Sequence, residues 1–137
     1  MSDTRTETAL ATTTRVHHHH DGTTVVEVVG EIDMASDKPI RALLADQLGR
    51  DPVALVLDLT RVDFFGSAGI QLLVEALAGA ERRGVALAVA TDRRAVLRPL
   101  EITLVNETVD IHPTLDQALA AVRPDRPAPR QVAREQV

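Results

Sequence analysis

The segment Phe64-Phe65-Gly66-Ser67-Ala68-Gly69-Ile70 sets one serine among small residues, between an apolar run and a helix-like run. Downstream stand Asp110 and His112. Ser, Asp and His in that chain order match the nucleophile, orienting acid and base of α/β-hydrolases, whose chemistry is acyl transfer through an activated serine. The spacing argues against that chemistry. A nucleophile elbow needs a glycine two residues before the serine, where this chain has Phe65, and 137 residues are few for that fold. A small serine hydrolase is therefore the remote alternative. A phosphate-cradling loop fits no better, because the Gly-Lys-Ser/Thr ending is missing and no lysine is near. Generic anion binding at the amino end of the following helix stays open. A purely structural account also covers the segment: Gly66 permits a tight turn, Ser67 caps the orphan amides of the helix, and Gly69 lets that helix approach a sheet closely.

Other polar clusters carry weaker chemistry. His17, His18, His19 and His20 precede Asp21, and tandem imidazoles can ligate a divalent cation. A structural metal site needs ligands fixed by a fold, however, and this run reads as flexible polar chain. Asp58 and Asp63 bracket a turn region without a partner base or ligand set, so they make no acid/base pair. His112, before Pro113, reads as a structural loop residue. Asp33, in Gly30-Glu31-Ile32-Asp33-Met34-Ala35-Ser36, reads locally as a turn or helix-capping carboxylate. From these residues neither a metal nor a cofactor is expected, and no enzymatic activity.

The elements that must position these residues follow from periodicity. Thr23 to Val29, Pro52 to Leu59, Val85 to Thr91 and Thr108 to Ile111 are β-rich runs, each followed by a helical pattern. The first helix begins near Ser36, with Pro39 in its opening turn and Ile40, Leu43, Leu44 and Leu48 on one face. The second places Ile70, Leu73, Val74 and Leu77 on its apolar side and stops at Gly84. The third, about residues 92–104, is expected to break at Pro99. The fourth opens at Thr114 with a Thr-x-x-Gln capping pattern and buries Leu115, Ala118, Leu119 and Val122. Continuous apolar strands such as Val53-Ala54-Leu55-Val56-Leu57-Asp58-Leu59 imply burial on both faces. The expected fold is α/β: a small, mostly parallel or mixed sheet of four to five strands, covered on both sides by about four helices. Residues 1–21 and 123–137 read as disordered tails around a domain at 22–122. In open sheets of this kind sites form where strand carboxyl ends meet helix amino ends, which is where Ser67 falls.

Composition sets outer limits. The net charge is −5, and Lys38 is the only lysine, which disfavours a general attraction to nucleic acid or anionic lipid. There is no cysteine, and the aromatic content is two phenylalanines, so the core must be aliphatic. No apolar run approaches the roughly 20 residues of a membrane span, and no secretory start is visible. The chain reads as cytoplasmic.

Residues 30–36, 55–77 and 112–122, in register and in order, resemble a STAS domain, and more specifically a stand-alone bacterial anti-sigma factor antagonist. The resemblance spans about Thr23 to Val122. It implies regulation by binding: such a protein docks on an anti-sigma factor, usually a serine protein kinase of the histidine-kinase-like ATPase fold, and frees a sigma factor for transcription. The kinase then phosphorylates a hydroxyl at the start of the second helix, and a serine phosphatase resets it. In the family that segment commonly reads Asp-Ser-Ser-Gly or Asp-Ser-Thr-Gly. Here Gly66 replaces the leading Asp and Ala68 the usual acceptor, leaving Ser67 as the candidate for phosphorylation. The resemblance makes Asp33, Gly66, Ser67, Ala68 and Gly69 the candidate partner-binding residues, the small ones by letting another protein approach. The alternative it leaves is a STAS subunit of another assembly, such as a lipid-transport ATPase complex or a stress-signalling particle.

Overall fold

The structure, a computed structural model, describes residues 12–123. Its sheet has five strands in sequential order: β1 (Thr12–His18), β2 (Thr23–Ile32), β3 (Ala54–Phe65), β4 (Ala86–Ala90) and β5 (Asp110–His112). β1 pairs antiparallel with β2, and the other neighbours are parallel. The helices are α1 (Asp37–Leu48), α2 (Ser67–Arg83), α3 (Arg94–Ile102) and α4 (Leu115–Val122), with a short 3-10 turn at Val105–Glu107. No helix among the described residues is long and apolar enough to cross a membrane.

Strand β1 corrects the expected tail over residues 12–18. Thr-Thr-Thr-Arg-Val-His-His holds one apolar residue, Val16, so no hydrophobic alternation marks it. What fixes it is backbone pairing with β2 along all seven residues, with Val16 packed against the core. β-branched threonines suit such an edge. The hairpin turn needs Gly22, which has φ 92° and whose missing Cβ would stand 2.7 Å from Val53 Cγ2. Asp21 closes the turn by accepting the Thr23 amide at 3.0 Å. Residues 1–11, and all of the expected carboxyl-terminal tail after Arg123, lie outside the described residues.

Sequential parallel order has a geometric consequence. Right-handed crossovers that always step the same way along a sheet deliver every connecting helix to the same face. Accordingly Ile40 and Leu44 of α1, Leu72 and Leu73 of α2, and Val96 and Leu100 of α3 share one core with Val26, Val28, Leu55, Leu57 and Leu59. The opposite face falls to α4, where Ala118, Leu115, Leu119 and Val122 meet Val25, Val56, Ala88 and Ala90. Alternation along β3 thus feeds two cores, and the alanines of β4 admit α4 closely.

Two helices differ from expectation. The buried face of α2 runs through Ala68, Gly69, Leu72, Leu73, Ala76, Gly79 and Ala80, leaving Leu77 half-buried and Val74 46% exposed. Small residues set this phase because they allow close approach: a Cβ on Gly79 would lie 3.4 Å from Leu48 Cδ1. Helix α3 runs unbroken through Pro99. The carbonyl that loses its donor belongs to Ala95, which is exposed and open to water. The cap of α4 forms as the sequence pattern indicates, with Thr114 Oγ1 accepting the Gln117 amide at 3.1 Å.

Candidate functional site

Strands β2 and β3 end side by side, with Ile32 opposite Phe65, and the Gly66 amide donates to the Ile32 carbonyl at 3.0 Å. The turns that follow these strands therefore lie together at one edge of the sheet. In the first turn, Asp33 Oδ1 accepts the amides of Ala35 (3.0 Å) and Ser36 (3.1 Å). Ser36 Oγ accepts the Asp33 amide at 3.0 Å and donates to the Glu31 carbonyl at 2.9 Å. The Asp33 carboxylate is thus engaged in its own turn, and the exposed tip is Met34.

The second turn is built differently. Alternation along β3 sends Phe65 into the core and leaves Phe64 48% exposed. Gly66 is the N-cap of α2, its carbonyl accepting the amides of Gly69 (2.9 Å) and Ile70 (3.2 Å). Ser67 is the first helical residue and is exposed, and α2 has no side-chain cap. The expected capping by Ser67 does not occur, because the residue sits one place too far along the chain: an N-cap needs an extended backbone, and Gly66 has it. Gly69 does serve close packing, since a Cβ there would stand 2.8 Å from Phe65 Cδ1 and Cε1. That explains the paired phenylalanines in part: Phe65 fills the space under the first turn of α2.

Of the five candidate partner-binding residues, Ser67 is therefore exposed and Gly66 and Asp33 are partly so. Ala68, 6% exposed, and Gly69 lie beneath, facing the chain's own core. The structure adds neighbours that motif reading missed. Between the first turn of α2 and α3 runs a largely apolar groove of about 610 Å³, with Ser67 and Ile70 on one wall and Arg94, Arg98 and Ile102 on the other. Positions 94, 98 and 102 recur at helical spacing, a signal present in the sequence; that they face Ser67 is a tertiary fact.

Asp110 and His112 form a local pair, His112 Nε2 lying 3.0 Å from Asp110 Oδ1, on the edge strand β5. Two inter-strand spacings, roughly 10 Å, separate that strand from β3, which leads to Ser67. Among the described residues no serine–histidine hydrogen bond assembles a nucleophile. Asp58 is buried and bound by Thr60, through its amide at 3.0 Å and its hydroxyl at 2.7 Å, while Asp63 is exposed. His18 Nε2 lies 2.9 Å from Gln47 Oε1 of α1, and no group of three or more His, Cys, Asp or Glu among the described residues could hold a metal ion.

Known proteins place this arrangement in context. The family model for the STAS domain matches residues 15–118. The anti-sigma-F factor antagonist RsfB of Mycobacterium tuberculosis is 31% identical over 108 residues, covering 77% of this chain and 86% of that protein. The crystal structure of an anti-sigma factor antagonist from Mycobacterium paratuberculosis superposes with a TM-score of 0.74 at 38% identity, covering 82% of this chain and 94% of the other. Unphosphorylated SpoIIAA, an anti-sigma factor antagonist, shares the fold, with a TM-score of 0.70 at 17% identity over 81% of this chain and 96% of its own.

Proposed function

The chain belongs to the STAS domain family, and from that premise we propose that it is an anti-sigma factor antagonist, which acts by binding an anti-sigma factor and so releasing a sigma factor for transcription. The partner is of the serine-kinase type, the encounter takes place in the cytosol, and the complex is switched by phosphorylation of Ser67, with a phosphatase to reverse it. The observation that carries this reading is the exposed Ser67 hydroxyl, which caps nothing and stands on the rim of an apolar groove.

The physics of the switch is direct. A phosphate adds about −1.5 to −2 charges at neutral pH. At the first turn of α2 the helix dipole tolerates that charge, so the fold survives. A partner packed over Ser67 would instead have to bury an ionised group, at a desolvation cost that its contacts cannot recover.

The test is phosphate mapping by mass spectrometry after incubation with the cognate anti-sigma kinase and ATP. The parent should carry phosphate on Ser67, and Ser67→Ala should carry none. Ala68→Ser in the Ser67→Ala background should stay unmodified, because position 68 lies under the helix. Phosphate confined to a threonine of the first eleven residues would overturn the assignment of Ser67.

A further inference from the structure

We propose that the groove between α2 and α3 receives a segment of the anti-sigma factor that bears an apolar side chain flanked by carboxylates, and that Arg94 and Arg98 are the pair that recognises those carboxylates. The inference rests on the reading of the chain as an anti-sigma factor antagonist and goes beyond it by assigning the chemistry of the contact.

Three observations converge on this groove. Its floor and walls are apolar and open: Phe64, one of two aromatic residues in the chain, is 48% exposed, and Ile102 is 73% exposed. Aromatic and aliphatic side chains left in water at a concave surface are the usual anchors of an interface, since their burial energy is recovered only on binding. Second, Arg94 and Arg98 line the same groove, one turn apart, and neither forms an ion pair among the described residues. Arg41, Arg50 and Arg83 are neutralised by Asp37 and Glu75, by Asp46 and by Asp51, whereas Arg15, Arg61, Arg82 and Arg93 also form no ion pair among the described residues but do not line this groove. Third, none of the residues lining the groove is acidic, although the chain as a whole carries a net charge of −5. The groove therefore offers an acidic partner segment two guanidiniums and no opposing carboxylate, so the two supply register as well as attraction.

The same geometry gives the switch a second component. Ser67 lies on the wall opposite the arginines. A phosphate there offsets the charge of both guanidiniums and repels the incoming carboxylates, so modification cancels the recognition that it faces.

Stopped-flow association with the purified cognate anti-sigma factor, at low and high salt, tests the proposal with four proteins: parent, Arg94→Glu/Arg98→Glu, Arg94→Gln/Arg98→Gln and Ile102→Ala. All the substituted side chains are exposed, so thermal midpoints should match the parent. The parent should associate more slowly as salt rises. The glutamate variant should associate about tenfold more slowly at low salt and lose that dependence, with the glutamine variant between them. Ile102→Ala should leave the association rate unchanged and raise the dissociation rate about tenfold. Parent-like rates and salt dependence in the glutamate variant would overturn the proposal while leaving the antagonist reading intact. Failure of the parent to bind the anti-sigma factor at all would overturn both.

Discussion

The two turns at the carboxyl edge of β2 and β3 each contain a serine at the start of a helix, and they use it in opposite ways. Ser36 spends its hydroxyl on the Asp33 amide and the Glu31 carbonyl, and Asp33 returns the favour to the amides of residues 35 and 36. Ser67 stands exposed one place past a glycine N-cap, on a helix with no side-chain cap. A capping side chain is ordinarily worth about 1 kcal/mol, so α2 forgoes a stabilisation that its own serine could supply one residue earlier. The comparison separates a hydroxyl that holds the fold from one that the fold presents.

Substitutions can break or sharpen that contrast. The largest effect should come from beneath Ser67: Phe65→Ala removes a 3% exposed ring on which Gly69 rests and should cost about 3–5 kcal/mol, read as a lower denaturant midpoint. Next, Leu73→Ala, fully buried on the sheet side of α2, should cost about 2–5 kcal/mol, whereas Val74→Ala, on the exposed side, should cost well under 1 kcal/mol. Equal losses at 73 and 74 would mean that α2 is turned away from the phase described. Asp33→Ala leaves the Ala35 amide without its acceptor, although the Ser36 amide keeps the Asp33 carbonyl at 3.1 Å, and should cost about 1 kcal/mol, while Ser67→Ala should leave the thermal midpoint unchanged. A measurable loss in Ser67→Ala would erase the difference between the turns. The smallest effect concerns the β-hairpin. The Thr23 amide, donating to the Asp21 carboxylate, holds its pKa below the usual carboxylate value. That contribution is present above the unfolded pKa and disappears as pH falls through the folded one. Asp21→Asn should therefore be slightly less stable than the parent near neutrality and converge with it as pH falls through the lowered pKa of the Asp21 carboxyl.

How much of this was legible in the chain depended on how strongly each residue signals. The four strand–helix alternations are carried by Val, Leu and Ile at clear periods, so the α/β sheet with helices on both faces could be read directly. Strand β1 could not, because an edge strand with one apolar residue is fixed by its neighbour's backbone. The phase of α2 was legible only in part: Leu73 is buried and Ile70 and Leu77 pack against the core as the period indicates, but Val74 is exposed, because Ala76, Gly79 and Ala80 complete the buried face by being small, and small residues weigh little in an apolar count. At the site, Ser67 was legible as a residue between glycines at a strand-to-helix junction. The groove was not, since Arg94, Arg98 and Ile102 lie about thirty residues downstream on another helix, and only the packing of α3 beside α2 brings them to it.

The most direct test of the central claim is the affinity of Ser67→Asp for the cognate anti-sigma factor, measured by calorimetry beside its thermal midpoint. A parent-like midpoint with affinity weakened on the order of a hundredfold is the expected result, the carboxylate being welcome at the helix start and unwelcome under the partner. Full affinity in a folded Ser67→Asp would contradict the account and leave the Gly66–Gly69 turn with a packing role alone.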